Sequence, residues 1–244
     1  MTRVNWYKYA SPSAFYPLAG KMIPWFAIPS AILFLVGLYV GFFVAPTDFQ
    51  QGDAYRIIFI HVPAAWMGMM LYVLMAVYAA IGWAFNARLA SMMASSISIT
   101  GAMFTFLSLV TGSLWGKPTW GTWWAWDARL TSTLILLFLY IGFISLQAAI
   151  DDPRRADRAA AVLAIVGVIN VPIIYFSVSW WNTLHQGATI RILGKPTIAG
   201  PMLAAMLIML AACWLYSIAV VLIRLRCIIA EREQNAAFLA EAKA

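Results

Sequence analysis

The sequence holds only two histidines, His61 in "RIIFIHVPAAW" and His185 in "WWNTLHQG". An imidazole of this kind either makes a hydrogen bond at an interface or binds a metal through one ring nitrogen. Between them in the chain lies "WGKPTWGTWWAWDAR", residues 115–129, with five tryptophans in twelve positions. A tryptophan belt at a bilayer interface needs only a ring or so at each helix end. Trp25, Trp66, Trp83, Trp180, Trp181 and Trp214 fit that use, whereas Trp115, Trp120, Trp123, Trp124 and Trp126 exceed it. Gly116 and Gly121 permit tight turns and Pro118 stiffens one of them. The segment therefore reads as a shaped loop with an aromatic surface.

Stacked rings gain about 0.5–1.5 kcal/mol per pair beyond the area they bury, so the fitting ligand is flat, aromatic, apolar and large. Haem meets that description, and its iron takes histidine as an axial ligand. Its two propionates need cations, and a guanidinium holds a carboxylate through two parallel hydrogen bonds. Arg129, Arg56, Lys117, Arg191 and Lys195 are all external; Arg129 and Arg56 stand next to the key segments and fit best, while the two lysines read better as interface anchors. Asp127 is the only acid among the tryptophans. It reads as a helix N-cap for "ARLTSTLILL", or as a residue that pairs with Arg129 or accepts a histidine N–H.

These residues need a frame to hold them. The 244-residue chain is 64% hydrophobic and 10% charged, too apolar for a soluble domain. Six stretches are long enough to cross a bilayer as helices, at residues 22–44, 57–85, 89–114, 130–150, 159–181 and 202–223. The expected fold is an all-α integral membrane protein with one membrane unit, residues 1–223, and a polar tail, residues 224–244, continuing the last helix. The first span is too long for a signal peptide and reads as an anchor. Of the 16 lysines and arginines, the larger share falls on the side of both termini. That side is then cytoplasmic, and loops 45–56, 115–129 and 182–201 face outward, into the periplasm in a bacterium.

Other classes of function find little support. The net charge of +7 is scattered, with no basic helix clear of the spans for nucleic acid. Cys213 and Cys227 would lie about 21 Å apart on one helix, too far for a disulfide, and neither CxxC nor CxxCH occurs. "GKPT" at 194–197 lacks the first glycine of a phosphate-binding loop. No span carries a mid-membrane acid or base, as an ion-coupled pump would. Asn170 and Pro172 in "GVINVPIIYF" predict a kink satisfied by neighbouring helices, and the Ser/Thr-rich third span predicts close packing.

The segment "WGKPTWGTWWAWDARLTS" resembles the Trp-Trp-Asp signature of the haem-handling membrane proteins of cytochrome c biogenesis. With "YRIIFIHVPAAW", "SVSWWNTLHQG" and six spans, the chain resembles the haem exporter protein C family along nearly its whole length. The resemblance implies a multi-pass protein of the bacterial inner membrane. It would bind haem b on the periplasmic face, with the positions of His61 and His185 as axial ligands of the iron. It implies delivery to a haem chaperone, cytochrome c maturation protein E, which attaches haem through its own histidine. It also implies work beside an ABC-type ATPase subunit, a second multi-span subunit and a small single-span subunit. The chain itself would not be an enzyme. Two other readings compete: a b-type cytochrome with haem buried between helices, and a solute transporter.

Overall fold

The structure, a computed structural model, describes residues 9–185, 198–234 and 238. Its helices are α1 (Pro12–Tyr39), α2 (Ile58–Phe85), α3 (Arg88–Trp120), α4 (Ala128–Ala149), α5 (Pro153–Gly167), α6 (Asn170–Trp180) and α7 (Gly200–Arg232). Six helical stretches are long and apolar enough to cross a membrane, α5 and α6 together making the fifth. The fold is all-α, as composition and hydropathy predict. Among the described residues the only β feature is an isolated bridge between Asp48 and Gly52.

Local chemistry sets the ends of these helices. α1 starts at Ser11, whose hydroxyl accepts the Ala14 N–H at 3.4 Å, with Pro12 in the first turn, where its missing N–H costs nothing. α1 widens into a π turn, Val40–Val44. Arg56 closes that turn by donating to the carbonyls of Gly41 at 2.8 Å and Ala45 at 3.0 Å. α2 ends at Asn86 with φ 51°, a left-handed cap that asparagine tolerates.

α3 has 33 residues and so is about 50 Å long, against a hydrocarbon core of about 30 Å. The sequence reading ends this span at residue 114 and starts a loop at 115. The helix instead continues through Trp120, so the first six residues of the tryptophan segment are helical. Gly121, at φ 78°, ends it, and its N–H bonds the Lys117 carbonyl at 3.1 Å. Pro118 sits in the last turns of the helix rather than in a loop turn. Gly116 serves close approach, since a Cβ there would lie 3.1 Å from the Thr122 carbonyl oxygen.

α1 packs along α7 and α2 along α3, while α4 joins α3 to α5 and α6. Hydrogen bonds seal the joints. Ser30 donates to the Ala212 carbonyl at 3.0 Å across α1 and α7. The Tyr140 hydroxyl donates to the Gly68 carbonyl at 2.8 Å, pinning α4 to α2 beside Gly101. The predicted kink is a full break between α5 and α6. Pro172 offers no N–H to Val168, and Asn170 Nδ2 crosses to the Ser132 carbonyl on α4 at 2.8 Å.

α7 runs past residue 223 without interruption. Residues 224–232 are packed rather than a free tail, because Leu225 and Ile229 are buried with Met92. Arg232 holds Asp157 at 2.8 Å, and Arg88 pairs with Glu233. These charged contacts lie at one end of the bundle, and His61 lies at the other.

Candidate functional site

His61 is in the first turns of α2, facing the last third of α3, and is buried. Its Nδ1 lies 3.1 Å from the Thr111 hydroxyl. That hydroxyl has one proton and donates it along α3 to the Leu107 carbonyl at 2.7 Å. In the tautomer that carries its proton on Nδ1, His61 donates to that hydroxyl. That tautomer leaves Nε2 with a bare lone pair, the form that binds metals. Gly112 lies against the same ring, since a Cβ there would meet His61 Cε1 at 2.9 Å.

His185 follows α6 on an irregular segment. Its own N–H is held by the Thr183 hydroxyl at 3.0 Å, and the preceding residue is tied by the Leu184 N–H to Asp127 Oδ2 at 3.2 Å. The ring reaches back to the mouth of the bundle, where its centroid is 6.2 Å from that of His61 and 5.2 Å from that of Trp120. Its Nδ1 is buried with no hydrogen-bond partner among the described residues. Burial, and secondarily the Arg129 charge, pull its pKa down to about 4, so the ring is neutral at pH 7.

The five tryptophans divide into two sets. Trp115 is buried, meets His61 edge-on at 5.7 Å and donates its indole N–H to Gln51 Oε1 at 2.7 Å. Trp120 stands between Trp115 and His185. Trp124 lines the cleft shared by both histidines and carries a buried indole N–H without a partner among the described residues. Trp123 and Trp126 instead face outward, 54% and 78% exposed. Of the expected shelf of five indoles, Trp124 lines the cleft, Trp115 and Trp120 pack against the histidine rings, and two face outward.

Arg129 lines the cleft with both histidines, and among the described residues its guanidinium donates no hydrogen bond. Arg56 is not brought to the cleft. Its guanidinium is engaged by Asp53 at 2.8 Å and by the π-turn carbonyls. Asp127 caps α4 through Oδ1, which accepts the Leu130 N–H at 2.7 Å. Among the described residues it pairs with neither Arg129 nor a histidine ring. Arg191 and Lys195 lie outside the described residues. Thr111, Gly112, Gln51 and Leu184 join the site without any mark in the sequence, because their roles depend on contacts with distant residues.

The cleft thus brings together two imidazoles, a guanidinium, an aromatic wall, and indole and imidazole nitrogens without partners among the described residues. A family model described as Heme exporter protein C matches residues 5–240. The chain belongs to this family. It is 55% identical over 180 residues to the Heme exporter protein C of Escherichia coli (strain K12), covering 74% of each chain. Identity to the Haemophilus influenzae protein of the same name is 48% over 200 residues, or 82% of this chain and 81% of that one. The Paracoccus denitrificans protein of that name is 36% identical over 235 residues, 96% of this chain and 97% of the relative.

Proposed function

We propose that this member of the heme exporter protein C family holds haem b as cargo at the outer mouth of its bundle and passes it to the haem chaperone of cytochrome c maturation. His61 and His185 are the axial ligands. The observation that carries the reading is the 6.2 Å between the two ring centroids. Two metal–nitrogen bonds of about 2 Å, plus the distance from each nitrogen to its ring centre, span about 6 Å. The chain's only two histidines, brought from distant positions, therefore stand at the spacing one iron requires.

The other residues fit this role. Thr111 holds the His61 ring at Nδ1, Trp120 and Trp124 supply the stacking walls, and Arg129 is available for a propionate. The cleft holds about 40 Å³ as it stands, so a macrocycle enters by moving its walls. A haem at this rim keeps an edge open to a second protein. The lysine and arginine asymmetry supports cytoplasmic termini and a periplasmic site in the bacterial inner membrane. ATP hydrolysis would belong to an ABC-type partner, alongside a second multi-span subunit and a small single-span subunit.

The test is purification of the full chain with H61A, H185A and the double variant, followed by absorption spectroscopy and chaperone loading. We expect a six-coordinate haem spectrum that changes in each single variant, and chaperone loading that is lost in the double variant. Normal spectra and loading in the double variant would reject the ligand assignment.

A further inference from the structure

We propose that the end of the bundle opposite the histidines carries a binding site for the phosphate headgroup of an anionic phospholipid. A cavity of about 200 Å³ lies where the end of α2 meets the starts of α3 and α5, several times the roughly 30 Å³ share of one water. Arg88, Arg154 and Arg158 line it. Among the described residues Asp157 is the only acid in its wall, and both of its oxygens are taken by Arg232, at 2.8 Å and 3.0 Å. Arg88 is paired with Glu233. Among the described residues Arg154 and Arg158 make no ion pair, and Arg158 reaches only Asn86 Oδ1 at 3.4 Å. Two guanidiniums therefore line a solvent-sized space with no unpaired anion of the described residues to meet them.

The occupant is argued from the rim. Trp83 lines the cavity and is 52% exposed, with Phe85 exposed beside it. A soluble anion has no use for that apolar border, whereas a phospholipid places its phosphate in the cavity and its glycerol and chains against it. Arginines that merely anchor a helix reach outward to the interface and do not gather around a hollow. Basic pockets between helices at the cytoplasmic surface are suited to anionic headgroups, and charge asymmetry assigns this end to the cytoplasm. The site is independent of the haem reading.

The test uses the full chain in phosphatidylcholine nanodiscs doped with phosphatidylglycerol, with retained lipid counted by native mass spectrometry. Arg154 and Arg158 are exposed, so the R154Q/R158Q variant is expected to fold. Each arginine near the surface gives about fivefold in affinity, so the pair predicts about a 30-fold loss of phosphatidylglycerol retention. R154Q and R158Q alone each predict about fivefold. Arg155, adjacent but outside the cavity, supplies the control, and R155Q should retain lipid normally. Equal retention in R154Q/R158Q, or an equal loss in R155Q, overturns the site. Inorganic phosphate held in lipid-free detergent, and lost in R154Q/R158Q, overturns the lipid assignment in favour of a soluble anion.

Discussion

Asp127 Oδ2 accepts the Leu184 N–H at 3.2 Å while Oδ1 accepts the Leu130 N–H at 2.7 Å. One carboxylate thus starts α4 and tethers the segment that carries His185. D127N separates the two roles, because an amide oxygen still caps the helix while the amide nitrogen cannot accept from Leu184. We expect D127N to melt at the wild-type temperature but to bind haem about tenfold more weakly. D127A should lose about 1 kcal/mol of stability as well. Haem titration and thermal denaturation in detergent read both effects. Wild-type haem affinity in D127N would show that the tether contributes nothing.

Thr111 gives a sharper separation. Valine has its shape without the hydroxyl, so T111V removes the oxygen that lies 3.1 Å from His61 Nδ1 and helps to hold the ring. Loss of such an outer partner weakens a metal site by about 10- to 100-fold, and that range is the expected loss in haem affinity. T111S restores the hydroxyl and should recover most of it. A T111V protein that binds like wild type, or a T111S protein as weak as T111V, would remove Thr111 from the site.

The spans and the break at Asn170 were legible because each rests on local sequence: apolar length, a missing proline N–H and a polar side chain needing an acceptor. The two histidines stand out in the sequence by rarity, and Arg129 by its place at the mouth of a span beside the tryptophans. The helical state of Trp115 to Trp120 was not, because glycine and proline signal a turn locally while the packing of Trp115 against His61 and Gln51 extends the helix. The engagement of Arg56 is illegible for a related reason, since the π turn whose carbonyls it closes leaves no mark in composition. Thr111 looked like one more small packing residue of the third span, and only its distance to a ring fifty positions away distinguishes it.

Gly112 tests how tightly His61 is held. A Cβ there would sit 2.9 Å from His61 Cε1 and 3.4 Å from Nδ1, so the ring must shift. Alanine also favours the helix over glycine by about 1 kcal/mol. G112A is therefore expected to be as stable as the wild type or more so, with weaker haem binding. Melting temperature and haem titration should move in opposite directions. Undiminished binding in G112A would show that the His61 ring has room to move without losing its function.

The pH response should carry the signature of a desolvated imidazole. Burial and the Arg129 charge hold His185 at about 4, against about 6.5 for a free histidine. In the haem-free protein, an NMR titration of the His185 ring should have its midpoint near pH 4, and haem retention should be level from about pH 8 to about pH 5. Between those two pKa values the unfolded chain binds a proton that the folded chain does not. Stability from this group is therefore fully present above about pH 6.5 and falls as the pH drops towards 4. H185Q should remove that slope while leaving the contributions of other groups. A ring midpoint near 6.5 would mean that His185 is open to solvent rather than packed against Trp120, and the geometry of the cleft would have to be redrawn.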